Sequence, residues 1–291
     1  QQRVAAYNLL NIINISTGII IPAGGIVVSK LGLINAERLF LLIAIISMTS
    51  MFFIRNRFYA ESDTGREMID RNKQKRASEI FDFSIYLRSF SLVKSRPDLL
   101  KAVMLFVIYY TYLPIGTYGS LYFAPYINEV LRIEKSSISI LGGVYAVFTL
   151  LIFIFVNPAI NRRNHTINML AGLLIQIASL LLLILAPAGS FLLVAAYVIL
   201  FAVGSSIVRP LIDSTLANAT NGAERAGIYS LTNTLSCVLT ALAGLLSGYA
   251  YTLNPSIIFY AAIVMLAVCT LIVAASYTRR GKTGMKHAPT A

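Results

Sequence analysis

Charge is what this sequence has least of. Only 12% of its 291 residues are Asp, Glu, Lys or Arg, about half the share found in soluble domains. Tryptophan is absent, and there are two cysteines and two histidines. Cys237 and Cys269 both sit in apolar blocks with no CxxC spacing, which excludes a disulfide framework and a thiolate metal site. His165 and His287 lie far apart in polar connections, so no zinc or haem signature can be assembled. Paired carboxylates, a nucleophile–base arrangement and a P-loop are all missing. Catalysis and nucleotide hydrolysis therefore have no support, and no cofactor is expected. A signal-peptide pattern is also lacking, and the chain begins Gln-Gln rather than with Met. It reads as a piece of a longer polypeptide.

What fills the space is apolar. The chain is 57% hydrophobic, with a mean hydropathy of +0.74. From Thr166 to Val208, and again from Ala226 to Thr278, no residue carries a formal charge. One helix needs roughly 20 residues to cross a bilayer, so each block holds a pair of spans. Eight spans emerge, near 4–28, 38–54, 100–127, 137–160, 166–186, 191–211, 226–251 and 256–277. A lipid-exposed backbone must satisfy its own hydrogen bonds, which predicts helices. A barrel would alternate apolar and polar residues, and these blocks do not. The fold class is all-α, a polytopic helical membrane protein.

Breaker residues agree with the cuts. Ala186-Pro-Ala-Gly-Ser190 and Leu253-Asn-Pro-Ser256 read as short loops. Ser95-Arg-Pro-Asp98 has the S-x-x-D form of a capping box, which predicts that the third span starts near Arg96. The basic residues fix an orientation. With both termini on one side, that side holds twenty Lys and Arg and the other four, namely Lys30, Arg38, Arg132 and Lys135. The positive-inside rule then places both termini in the cytoplasm of a multi-pass cell-membrane protein. The net charge of +12 is accounted for by topology and the anionic leaflet, so nucleic acid is not a partner.

One connection stands apart. Residues 55–99 carry ten basic and seven acidic side chains. Its first half, Glu61 to Arg76, is almost wholly polar and expected to be mobile. In its second half Ile80, Phe83, Leu87 and Phe90 recur at helical spacing. That predicts either a short amphipathic helix on the membrane surface or an extension of the third span. The chain thus divides into residues 1–54 with two spans, a cytoplasmic loop 55–99, a six-helix bundle 100–278, and a basic tail 279–291.

Two spans, a long loop and six spans resemble the major facilitator superfamily, whose transporters join two six-helix halves by a long cytoplasmic loop. Glu224-Arg-Ala-Gly-Ile-Tyr-Ser-Leu-Thr-Asn-Thr234 resembles the family's loop into its eleventh helix, followed by the small-residue run Ala241-x-x-Gly244-x-x-x-Gly248. Ser91-Leu-Val-Lys-Ser-Arg-Pro-Asp-Leu-Leu100 is similar to the start of its seventh helix. Asn157-Pro-Ala-Ile-Asn-Arg-Arg163 stands where the second half repeats the family's basic loop, although the acidic residue and glycines are missing. Gly18-Ile-Ile-Ile-Pro22-Ala-Gly24-Gly25 is similar to a fifth-helix motif of proton-coupled exporters, with Ile-Pro in place of Gly-Pro and a spacing one residue shorter. The resemblance implies the last two helices of one half and all of the other, in a secondary transporter of a small solute. Its implied partners are that solute, the lipid bilayer and the missing N-terminal helices. It also implies export. A membrane enzyme acting on lipid or prenyl substrates, or a structural membrane subunit, are the alternatives.

Polar residues at membrane depth are the candidates for function, because each needs a partner or a wet cavity. Asn8, Asn11 and Asn14 recur every third residue along one side of the first span. Tyr109 and Tyr112, at i and i+3 and followed by Pro114 and Gly116, face one way and could bind a solute. Thr232 and Asn233 complete the cavity candidates. Tyr118, Tyr122 and Tyr126 read as an interfacial belt, Gln176 as an interhelical hydrogen bond, and Gly244 with Gly248 as a GxxxG packing motif. Arg209 and Asp213, four residues apart, are read as a cytoplasmic gate that meets Glu224 and Arg225 when that side is shut. The competing reading sends Arg209 to the headgroups and lets Asp213 mark the helix end. No acidic residue lies deep in a span, so proton coupling would use missing helices or Asp213.

The orientation is directly testable. Single cysteines at Ser62, Ser136 and Thr283, in a background lacking Cys237 and Cys269, are expected to label differently with an impermeant thiol reagent on intact cells. Position 136 alone should react, and labelling at position 62 would reverse the topology.

Overall fold

The structure, a computed structural model, describes residues 21–60, 66, 70, 84–156, 165–220 and 224–284. Asn8, Asn11, Asn14, the basic 157–163 stretch and, apart from Arg66 and Asp70, the loop expected to be mobile lie outside them. Two compact units partition the chain, one of residues 23–88 and one of residues 1–22 with 89–291.

In the smaller unit, α1 (Ile21–Leu31) and α2 (Leu33–Phe58) meet at Gly32. Its φ of 74° is a conformation that only glycine adopts cheaply. The Ala36 amide donates to the Gly32 carbonyl at 3.1 Å, so the next ladder starts at once. From Leu39 to Ile54 the large apolar side chains of α2 are all exposed. A helix apolar on every face is a membrane span.

A third helix, α3 (Ser84–Ser95), forms as the spacing predicts, although Ile80 and Phe83 precede the described part. Leu87 and Phe90 are exposed, while Ser89 and Val93 are buried. It is no extension of the next span. Arg96 is extended, with φ −116° and ψ 101°, and α4 (Pro97–Gly116) begins after it. The ring of Pro97 disfavours helical backbone at the preceding residue and suits the first helical position. The expected capping box does not form. The Ser95 hydroxyl donates backwards to the Leu92 carbonyl at 2.9 Å, and Arg96 provides no side-chain cap.

The larger unit continues with α5 (Phe123–Pro125), which runs into a π turn at Tyr126–Val130, and with α6 (Lys135–Leu151), which runs into a second at Ile152–Val156. Then come α7 (His165–Ile184), α8 (Phe191–Ala219), α9 (Arg225–Leu253) and α10 (Ile257–Gly284). Among the described residues six helices, α2, α4, α7, α8, α9 and α10, are long and apolar enough to cross a membrane. The expected fourth span is present as the shorter apolar stretch Ile140–Val156, its α-helix cut short by the π turn, and the first is described only from Ile21. The third span was expected to reach residue 127, but α4 stops at Gly116. Pro114 in its last turn removes a ladder donor there. The remainder folds over the end of the bundle, with Phe123, Tyr126 and Ile127 buried.

Tyr118, Tyr122 and Tyr126 therefore do not form a lipid-facing belt. Tyr118 stacks on Tyr145 with centroids 5.0 Å apart. Tyr122 stacks on Tyr251 and donates to the Gly244 carbonyl at 3.1 Å. Tyr126 meets Phe259 edge-on at 4.6 Å. Burial raises the Tyr118 phenol above its ordinary pKa, with the neighbouring Tyr145 adding to the shift.

In the bundle α4 packs against α8, α9 and α10, α7 lies against α8 and α10, and α6 lies against α8. A close backbone crossing joins α7 to α8. A Cβ on Gly204 would stand 2.7 Å from Gln176 Cγ and 2.8 Å from the Gly172 carbonyl, and one on Gly172 would stand 2.6 Å from Val208 Cγ2. Gly116 likewise leaves room for Ala262. The GxxxG of α9 is not such a crossing. Among the described residues nothing lies within 4 Å of a Cβ built on Gly244, and one on Gly248 meets only the Tyr122 hydroxyl at 3.3 Å.

Gly204→Ala should thus force backbone apart and destabilise by about 1–3 kcal/mol. Gly244→Ala should be neutral or stabilising by up to about 1 kcal/mol through helix propensity. Thermal unfolding in detergent would read both, and equal effects would remove the distinction.

Candidate functional site

The two tyrosines expected to line a cavity are core residues. Tyr109 and Tyr112 are both 0% exposed. Tyr112 donates to Gln176 Oε1 at 3.0 Å, while Tyr109 lies 3.5 Å from the same oxygen and 3.4 Å from Nε2. The i, i+3 spacing does turn both the same way, but both hydroxyls end on Gln176 of α7. Gln176 is the interhelical hydrogen bond its isolation suggested. In a bundle interior an unpaired amide would cost more than these bonds gain. Thr232 is fully buried and spends its hydroxyl on the Ile228 carbonyl of its own helix at 2.6 Å. Asn233 is exposed.

Tyr110, the residue between the two, meets charged side chains instead. Its hydroxyl donates to Asp213 Oδ1 at 2.7 Å, the length of a charge-assisted bond. The guanidinium carbon of Arg209 lies 5.7 Å from the centre of the same ring, within cation–π range. The same ring stacks on Phe106 at 4.2 Å. One phenol on α4 therefore meets a cation and an anion from α8. Arg209 is exposed and Asp213 half-buried.

These charges do not mark a helix end. Helix α8 runs on to Ala219, through Pro210, so Arg209 lies about 15 Å inside it at 1.5 Å per residue. The helix end expected at Asp213 is not there, since α8 continues for six residues beyond it to Ala219. A proline inside a membrane helix is tolerated when neighbouring groups re-satisfy the backbone.

The four expected gate residues form two clusters. Glu224 pairs with Arg96 at 3.2 Å, a half-exposed bridge contributing about 0–1 kcal/mol. Arg96 also reaches the Ala219 carbonyl at 3.4 Å. Arg225 donates to the Ala217 carbonyl at 3.0 Å and approaches Thr220 Oγ1 at 3.5 Å. Two arginines thus satisfy terminal carbonyls of α8, where the helix dipole is negative. Among the described residues no ion pair links either Arg209 or Asp213 to Glu224 or Arg225. Sequence reasoning missed Tyr110 and Arg96. The signal for Tyr110 was available, since turning Tyr109 and Tyr112 together leaves it on another face. Among the described residues no group of three or more His, Cys, Asp or Glu side chains could hold a metal ion.

Residues 113–290 match the family model of the Major Facilitator Superfamily. No curated protein matches the chain. Among solved structures, a bacterial homologue of the iron transporter ferroportin in an outward-facing state is similar, with 16% sequence identity and a TM-score of 0.49. That match covers 62% of this chain and 45% of the other, so the chain spans less than half the length of that transporter. At this level of similarity the cargo of the one says nothing of the other.

The buried polar node makes its own prediction. Gln176→Leu should strand the Tyr109 and Tyr112 hydroxyls in an apolar interior and cost about 1–3 kcal/mol. Thermal unfolding of that variant with Tyr109→Phe and Tyr112→Phe added should recover part of the loss. No recovery would mean that Gln176 acts by shape alone.

Proposed function

Because the chain belongs to the Major Facilitator Superfamily, we propose that it is part of a secondary active transporter that moves a small solute by alternating access. The observation that carries this reading is the Tyr110–Arg209–Asp213 cluster. Ionisable side chains inside a membrane-crossing helix are costly and are retained where solutes or ions pass. The bundle from α4 onward corresponds to one half of such a transporter, and the other half requires helices beyond the two spans of residues 1–54. A site between two bundles opens to one side and then to the other as they rock. Export is the inferred direction, on the Gly18–Gly25 stretch, with both ends of the chain in the cytoplasm and the cell membrane as location.

Within this scheme Asp213 ties α4 to α8 through Tyr110. Loss of its charge weakens that tie, since a charge-assisted bond is roughly twice as strong as a neutral one. It also leaves the Arg209 charge uncompensated. Two packings of one element are what a switching transition uses, and the tie biases the bundle toward the one described here. In the full-length protein, Asp213→Asn should raise access of a cysteine at Ser206 from the cytoplasmic side several-fold, with folding yield unchanged. Ser206 is buried here, at 2% exposure, so labelling requires the helices to part. Unchanged access together with unchanged transport would remove Asp213 from the gating scheme.

A further inference from the structure

Arg209 and Asp213 stand one helical turn apart, the spacing of a helical ion pair. They make no direct ion pair. Asp213 is turned to the Tyr110 hydroxyl at 2.7 Å, and among the described residues Arg209 makes no ion pair. The guanidinium rests on one face of the Tyr110 ring, at 5.7 Å from its centre. Phe106 stacks on that ring too, at 4.2 Å and 24°, and holds it in place. The neighbours Val208 and Pro210 are buried, whereas Arg209 is exposed.

A guanidinium is planar, always charged and presents five donors in a fixed fork. The Tyr110 hydroxyl engages part of that fork, and the rest has no ion-pair partner among the described residues and belongs to an exposed side chain. What such a fork takes is a planar or tetrahedral oxyanion that accepts two parallel N–H bonds. The nearby Asp213 carboxylate keeps its charge and opposes such a ligand, but its Oδ1 is turned to the Tyr110 hydroxyl, so it does not itself fill the guanidinium fork. The phenol thus performs two tasks, supporting the cation and engaging the competing anion.

Resting on the transporter reading above, we infer that Arg209 is the binding site for an oxyanion, a carboxylate or phosphate carried by the solute, and that Tyr110 and Asp213 are positioning residues for it. The cargo class is then organic or inorganic anions.

The full-length protein, purified in detergent, tests this by thermal unfolding at constant ionic strength with benzoate, inorganic phosphate or benzylammonium. Benzoate or phosphate should raise the midpoint saturably, and benzylammonium should not. Arg209→Gln should weaken the anion's apparent affinity by about tenfold or more, the scale of one charge-assisted bidentate contact. Arg209→Lys, which keeps the charge and loses the fork, should weaken it by less and guards against a folding defect in the glutamine variant. Protection by neither anion, equal protection by benzylammonium, or an anion affinity unchanged in Arg209→Gln would each overturn the site. The first of these is the result if a carboxylate elsewhere in the polypeptide already occupies the guanidinium. Reconstituted flux separates the two proposals. Saturable flux of a neutral or cationic solute, unaffected by Arg209→Gln, would overturn the oxyanion site and leave the transporter standing. Anion binding lost in Arg209→Gln with no flux of benzoate or phosphate would uphold the site and count against transport.

Discussion

The crossing of α7 and α8 at Gly172 and Gly204 is the constraint on which the rest of the bundle depends. With no side chain at either position the two backbones approach until a Cβ on Gly204 would meet the Gly172 carbonyl at 2.8 Å. Gln176, one turn after Gly172, is held against that contact, with its Cγ 2.7 Å from where the same Cβ would stand. Its amide can then reach only one way, toward α4, where it takes the hydroxyls of Tyr109 and Tyr112. In lipid, apolar side chains gain nothing by leaving one apolar medium for another, so close packing and polar contacts carry helix association. Here both are present at one place.

That node also sets the rotation of α4, and through it the site. Successive residues of a helix are turned by 100° (3.6 per turn), so fixing Tyr109 and Tyr112 on α7 leaves Tyr110 to one side. On that side stands the half of α8 that carries Arg209 and Asp213. Three tyrosines within four residues therefore serve two different purposes. At the start of α4, Arg96 reaches across to the end of α8 and to Glu224 at the start of α9. Helix α4 is thus fixed at two levels, by a buried amide in its middle and by an arginine at its start.

Much of this was legible in the sequence, and the failures have physical causes. Charge-free blocks locate helices well because a bilayer demands long apolar runs, and α7, α8, α9 and α10 fall where those blocks do. Boundaries defined by charge fail when a charge lies inside a helix, as at Arg209 and Asp213, which shortened α8 by a turn or two. The capping box at Ser95 failed because Pro97 already suits the first turn and the serine found a nearer acceptor in Leu92. The GxxxG of α9 was read as a crossing because its glycines are close in sequence. The real crossing uses single glycines on two helices, a pairing that no local spacing displays. Gln176 was read correctly because an isolated amide in an apolar span has few alternatives to an interhelical bond. Asn8 and Asn11 lie outside the described residues.

The four residues expected to form a gate fall into two clusters, and this bears on how the bundle can move. Arg96 and Arg225 both donate to carbonyls at the end of α8, and these bonds require that end to stay helical and in place. The Arg96–Glu224 bridge is half-exposed and contributes little to stability, so its geometric role outweighs its energetic one. It ties the start of α9 to the same point. Motion of α8 against α4 is then pinned at this end. The Tyr110–Asp213 bond, a single hydrogen bond a few turns further along, is the next contact to yield. Beyond it the Gly172–Gly204 crossing moves α7 with α8. An opening from this end therefore has to break the Arg96 and Arg225 contacts first and the Tyr110–Asp213 bond second, and it reaches the buried Ser206 only after both have parted.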